Sequence, residues 1–261
     1  MKKPLLDVIF MSEKRKGVLL LLRDGAKEME TLLRSLNTTR QALLPPIRIL
    51  EEHYLVSHDR DTYELTTIGK LVVDDMFPLL GIVGVFDSNI DYWKDRKLEF
   101  LPPQLLSRIE DLNPVKIYEP SLTNIHQPVK ELIEITASSR IMYAVTNVFH
   151  PNFMELFALW KQNAVEIKMI LTKIFLDKIK TDCCSDFKQL LSNENFHFYV
   201  YDKPFDSLYF AVNDHLLLLA ILKKDGCYDG SALISYNRTA LEWGKDLFEY
   251  YLKDSVPITE I

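Results

Sequence analysis

The chain reads as an α+β protein in three parts. A small, mostly helical domain is closed by a β-hairpin, a helical linker follows, and the rest is an α/β domain whose mixed sheet is covered by helices. Three observations predict this. Apolar residues recur at helical spacing up to residue 50 and are followed at once by two short strand-like runs about a turn. A polar segment at 91–96 and the pair Pro102-Pro103 then break the pattern. From residue 114 onward, runs of strand composition alternate with amphipathic helices. The boundaries fall at 1–66, 67–112 and 113–261.

The first domain opens with a short helix over 5–10. Ser12 caps the next helix, which carries Val18, Leu19, Leu21 and Leu22 and stops at Asp24-Gly25. A second core helix starts at about Ala26. Its Met29, Leu32, Leu33 and Leu36 fall at i, i+3, i+4 and i+7, one stripe of a helix. Thr38 or Thr39 caps a third, which buries Leu43, Ile47 and Leu50. Pro45 and Pro46 remove two backbone donors from it, so a kink or a later start is expected. Residues 54–56 form a strand, 59–61 a turn and 62–66 the returning strand.

A helix followed directly by a hairpin, inside a small helical domain, is the reading head of a winged helix. Thr38, Thr39, Arg40 and Gln41 project from the start of the third helix, off its core stripe. Arg can grip guanine and Gln can grip adenine with two hydrogen bonds each. Arg48, and His58 and Arg60 at the wing, are candidates for phosphate, as are Lys14, Arg15 and Lys16. The stretch LVSHDRDTYELTTIGK resembles the end of the winged-helix domain in repressors of the arsenic-repressor type. The resemblance covers roughly residues 1–75 and implies that helix three enters the major groove while the hairpin touches the flanking backbone or minor groove.

From Thr67 a helix runs through Ile68, Leu71, Val72, Met76, Leu79, Leu80 and Val83, made irregular by Pro78 and two glycines. Its most apolar window, 76–86, is too short to span a bilayer. It is expected to pack either on its own second domain or, as the favoured reading, on a second copy, since winged helices of this type read two half-sites as symmetric dimers. A linker at about 97–113 carries a short helix over 104–111. Strands follow at 115–118, 141–148, 165–171, 196–201, 208–212, 215–222 and 233–235. Helices are expected at 125–138, 151–163, 174–191 and 238–252. The three successive strands imply an antiparallel hairpin at the edge of a partly parallel sheet.

The closing stretch, with LEWGKDLFEYY at 241–251, resembles the C-terminal domain of archaeal winged-helix regulators of methanogenesis and filamentation. That domain is in turn similar to one half of the phospholipase-D-like fold. Such chemistry needs His and Lys two residues apart, the His as nucleophile. None of the 6 histidines (His53, His58, His126, His150, His197, His215) has Lys at that spacing. GxSxG, HExxH, GxxxxGK and GxGxxG are also absent. The expectation is therefore not an enzyme, with no cofactor and no metal. In open α/β sheets, pockets open beyond the carboxyl ends of the parallel strands. Those ends offer Thr146, Asn147, His150 and Thr172. Tyr228, Ser235 and Asn237 near late turns and Trp243 on a pocket wall complete the candidate effector site.

Net charge is −6, but the first 80 residues carry 12 basic and 12 acidic side chains, so the excess lies in the remainder. A neutral head on an acidic body is compatible with DNA binding by the head alone. Three cysteines without metal spacing fit a reducing cytoplasm, and no signal peptide or membrane segment is read. The expected function is a sequence-specific, dimeric transcription regulator that binds double-stranded DNA and answers to a small-molecule effector. The alternative is a small-molecule-binding or protein-interaction module with a degenerate winged helix that leaves DNA alone.

Overall fold

The computed structural model describes residues 3–87, 89–119, 127–148, 153–207 and 209–261. The chain divides into two units, the first ending at Leu80 and the second starting at Gly81.

In the first unit, α1 is Leu5–Phe10 and α2 is Glu13–Leu21. The Ser12 hydroxyl accepts from the Arg15 amide, as its capping role requires. The chain then departs from the expected helix start. Lys27–Glu28 form a short strand β1, and helix α3 begins only at Met29, running to Ser35. The cause is tertiary: β1 pairs antiparallel with the returning strand of the hairpin, Lys27 against Tyr63 and Glu28 against Thr62. The hairpin strands are β2 (Val56–Asp59) and β3 (Thr62–Leu65), giving a three-stranded sheet in the order β1-β3-β2.

Helix α4 spans Arg40–Glu52 without the expected late start, with both prolines inside it. The carbonyls of Gln41 and Ala42 lose their helical partners to Pro45 and Pro46. Lys14 Nζ reaches the Ala42 carbonyl at 3.4 Å, and burial of Leu43, Ile47 and Leu50 holds the helix on the core. Tyr54, expected in a strand, has φ 57 and instead terminates α4. Leu55 N–H donates to Leu50 O and Tyr54 N–H to Glu51 O, a C-terminal cap closed by burial of Leu50 and Leu55.

Helix α5, Thr67–Asp87, is continuous through Pro78. The TTIGK stretch explains its start. Thr66 Oγ1 accepts from Gly69 N–H at 3.0 Å and donates to the Tyr54 carbonyl. A side chain at Gly69 would put Cβ 2.0 Å from Leu55 O, so only glycine permits this approach of helix to hairpin.

The second unit begins with α6 (Ile90–Trp93) and α7 (Pro103–Leu106), the latter shorter than expected and followed by a 3-10 turn at Ile109–Leu112. Then come β4 (Lys116–Tyr118), α8 (Gln127–Thr136), β5 (Ile141–Thr146), α9 (Phe153–Gln162) and β6 (Glu166–Thr172). The expected single helix after β6 is two, α10 (Lys173–Asp182) and α11 (Cys184–Leu191), which meet at Cys183. Next are β7 (Phe196–Tyr201), β8 (Tyr209–Asn213), β9 (Leu217–Ala220), β10 (Ala232–Ser235) and α12 (Arg238–Leu252). A strand not expected from the sequence, β11 (Val256–Pro257), closes the chain. The starts expected at 125 and 151, and at 208, lie outside the described residues.

The eight strands run β11-β7-β6-β5-β8-β9-β10-β4. β5, β6 and β7 are parallel, and the other pairings are antiparallel. One face of the sheet is covered by α8 to α11 through Leu132, Phe157, Phe175 and Phe187. The other is covered by α12 through Trp243, Leu247 and Phe248, together with Tyr92, Trp93 and Leu105. The LEWGKDLFEYY motif serves this contact. Trp243 is fully buried and its Nε1–H donates to Leu105 O, and a Cβ at Gly244 would lie 2.7 Å from Leu217. The α+β class with a mixed, helix-covered sheet is as the sequence predicts. Among the described residues no helix is long and apolar enough to cross a membrane.

Candidate nucleic-acid interface

The exposed side of α4 is set by its buried stripe. With Leu43, Ile47 and Leu50 turned inward, Gln41, Pro45 and Arg48 fall at i, i+4 and i+7 on the outer face, and all three are exposed. Thr39 is the N-cap and is exposed, but its hydroxyl makes no capping bond; Thr38 beside it is half-buried.

Arg40 is placed differently. Its guanidinium forks onto the carboxylate of Asp61, with Nη1–Oδ2 at 3.3 Å and Nη2 closer still to Oδ1. That hydrogen bond, and then the charge behind it, raises the Arg40 pKa above its ordinary value. Asp61 lies in the two-residue hairpin turn and its carbonyl accepts from Met29 N–H at 3.0 Å. Arg40 therefore ties the start of α4 to the wing. His58 is also engaged: its Nδ1 contacts Glu51 Oε1, and its ring stacks on Tyr63 with centroids 5.4 Å apart. Arg60, the first residue of the turn, has φ 53 and is exposed.

Of the basic run before α2, Arg15 is not a surface charge. It is 8% exposed and its guanidinium donates to the carbonyls of Val8 and Asp7, holding the end of α1. Lys14 serves the Ala42 carbonyl and Lys16 pairs with Glu13 at 2.8 Å. The head thus brings Thr39, Gln41, Arg48 and Arg60 to the surface, while Arg40 and His58 are spent between helix and hairpin.

In the second unit, Thr146, Asn147 and Thr172 do share the carboxyl edge of the parallel strands. Thr146 Oγ1 exchanges hydrogen bonds with Val148, and Asn147 donates to the carbonyls of Phe205 and Ser207. Thr172 is 5% exposed with a buried hydroxyl that has no partner. Tyr228 lies at the same edge, in the β9–β10 connection. Ser235 and Asn237 lie at the opposite edge, because β10 runs antiparallel to β9 and pairs Ser235 with Leu217. There Ser235 Oγ donates to Pro114 O and Asn237 Nδ2 to Asn113 O. Trp243 is enclosed in the core, and His150 lies outside the described residues. Among the described residues no group of three or more His, Cys, Asp or Glu could hold a metal ion. Cys183 and Cys184 are half-buried and Cys227 is exposed, all as free thiols.

The most buried ion pair in the second unit among the described residues was not anticipated. Arg96 joins Asp229 across 133 residues of sequence, at 2.7 Å. Burial pushes the Asp229 pKa up, but hydrogen bonds from Arg96 and Ser231 outweigh it and hold the carboxyl well below the usual carboxylate range.

A helical head, α1 to α4, with a paired hairpin, followed by an α/β unit, defines a two-unit winged-helix protein. Two domain models of one family match it in order. The N-terminal domain of the methanogenesis regulatory protein FilR1 matches residues 4–83, and the middle domain of the same protein matches 125–254. With both matched over most of its length, the chain belongs to the FilR1-like regulatory proteins. The methanogenesis regulatory protein FilR1 of Methanothrix harundinacea (strain 6Ac) is 25% identical over 97% of this chain; the chain spans 58% of that protein's length. Among solved structures, TrmBL2, an archaeal chromatin protein described as showing a novel mode of DNA binding, is similar over 97% of both chains (15% identity, TM-score 0.45). NucT from Helicobacter pylori is similar over 55% of this chain and 98% of its own (12% identity, TM-score 0.40).

Proposed function

We propose that the chain is a transcription regulator that binds double-stranded DNA through its first unit, works as a homodimer and is controlled by a small molecule in its second unit. The observation that carries the reading is the outward stripe of α4, where Gln41 and Arg48 project beside an exposed wing-tip Arg60. Gln41 is the base-reading residue, with Arg48 and Arg60 on phosphates. Arg40, while held by Asp61, positions the wing and contacts a base only if that pair opens. Ile68, Leu71 and Leu79 on α5 are about half exposed or more, an apolar surface that suits the dimer contact. No catalytic role is assigned, since the His–Lys pair of the phospholipase-D-like enzymes is missing.

A fluorescence-anisotropy titration on duplexes from the gene's own upstream region tests the reading. Gln41→Ala is expected to weaken discrimination at one base position roughly tenfold, and Arg48→Ala to weaken all sequences alike with a shallower salt dependence. Equal affinity for every duplex in both variants and the parent would remove the head from DNA reading. A monomeric mass in sedimentation at micromolar concentration would remove the dimer.

One observation favours a second reading, an interaction module that leaves DNA alone. Arg40 and His58 are both engaged by carboxylates, and the first 80 residues are electrically neutral. Absence of any salt-dependent binding to duplex DNA would favour it.

A further inference from the structure

The β9–β10 connection and the segment around α6 line an open cavity of about 290 Å³ in the second unit. Its floor is Arg96, whose side chain is 3% exposed. Every donor of that guanidinium is used. Nε donates to Tyr92 O at 3.2 Å; Nη1 to Ile221 O and to Asp229 Oδ1, each at 3.2 Å; Nη2 to Asp229 Oδ2 at 2.7 Å and to Ser231 Oγ at 3.4 Å. Lys223 adds a second cation to Asp229, at 3.4 Å. The positive charge in the wall is therefore committed to one carboxylate, and no guanidinium N–H remains for an incoming anion.

The negative charge is not so committed. Asp95 and Glu119 line the same cavity and are exposed, and neither forms a salt bridge among the described residues. Asp91 is also at the cavity, 2.9 Å from Lys94. A second, independent feature lies in the wall. Tyr92 is 6% exposed, and its buried hydroxyl has no hydrogen-bond partner. A buried hydroxyl left unpaired costs free energy that a ligand donor or acceptor would recover. The carboxylates do not converge as metal ligands among the described residues, which sets a metal ion aside in favour of an extended cation.

We propose that this cavity binds an aliphatic di- or triamine, its ammonium groups meeting Asp95 and Glu119 and an N–H reaching the Tyr92 hydroxyl. Thr146, Asn147 and Thr172 do not line this cavity, and the proposal does not depend on DNA binding. Asp91 lies four residues beyond the end of α5, so an occupant would sit where the chain leaves that helix.

Isothermal titration of the full chain with 1,4-diaminobutane and with spermidine tests it, at low salt and without DNA. Saturable binding is expected, weakened at least about tenfold in Asp95→Asn/Glu119→Gln and unchanged in Asp74→Asn/Asp75→Asn, an equal loss of charge elsewhere. Tyr92→Phe should bind the amine more weakly while unfolding at no lower denaturant concentration. The proposal is overturned by absence of saturable heat with either amine, or by amine affinity that survives the Asp95/Glu119 variant. It is equally overturned by magnesium competing at matched ionic strength as well as the triamine, or by acetate or phosphate binding where the amines do not.

Discussion

Among the described residues, two arginine–aspartate pairs have forked geometry and opposite settings. Arg40–Asp61 joins a helix to a hairpin turn in water, with side chains 50% and 47% exposed. Arg96–Asp229 joins two distant segments under cover, with side chains 3% and 27% exposed. The partners are chemically the same, so the environment alone separates them. In water the Coulomb gain is small and is screened by salt, and the arginine is free to exchange Asp61 for another acceptor. Under cover the pair is held by three further acceptors, and removing one member strands the other. One pair is thus free to open and the other is held closed.

The largest effect expected from breaking this contrast is at Arg96. Arg96→Ala leaves two carbonyls without their donor and Asp229 with only Lys223 and the Ser231 amide, and should destabilise the second unit by about 3 kcal/mol, read from urea unfolding. A change below about 0.5 kcal/mol would mean that water replaces the guanidinium without penalty. Next in size is the acid response. Asp229 has a folded-state pKa below its unfolded value, so its contribution is fully present above the ordinary carboxylate pKa of about 3.9 and is lost as pH falls below it. Unfolding midpoints measured down through that range should fall more steeply in the parent than in Arg96→Ala. The smallest effect on stability is at the exposed pair. Arg40→Ala and Asp61→Ala should scarcely move the unfolding midpoint. Their DNA affinities should diverge, Arg40→Ala binding more weakly and Asp61→Ala at least as well as the parent. Equal losses in both would make the closed pair, rather than a released arginine, the form that binds.

The two pairs also mark what could be read in advance. Local periodicity was enough for Phe196–Tyr201 and Arg238–Leu252, where the apolar pattern is unbroken and the ends are marked by turn residues. It failed at Lys27–Glu28, two charged residues with no strand pattern, extended only because Thr62 and Tyr63 pair with them. It overestimated Pro45 and Pro46, because burial on both sides and a lysine from another helix offset the lost donors. The outward residues of α4 were legible from its core stripe. That Arg40 would be occupied was not, since its partner lies 21 residues away in a turn. The cavity at Arg96 was hidden more completely, because its charged walls come from segments more than a hundred residues apart. The sequence signal was an arginine three residues after Trp93, in the polar segment 91–96.

The short final strand has a bearing on solubility. Without β11 the β7 edge of the eight-stranded sheet would present unpaired peptide groups along an apolar strand, a template for another chain. Val256 and Pro257 occupy that edge opposite Val200 and Tyr199, and the Ile258 amide binds Phe198 O at 2.9 Å. Proline has no amide hydrogen to offer outward, so the strand that covers the edge is itself a poor start for the next one. Val256 and Pro257 thus act as a terminator on this side of the sheet, so that it does not extend past the β7 edge.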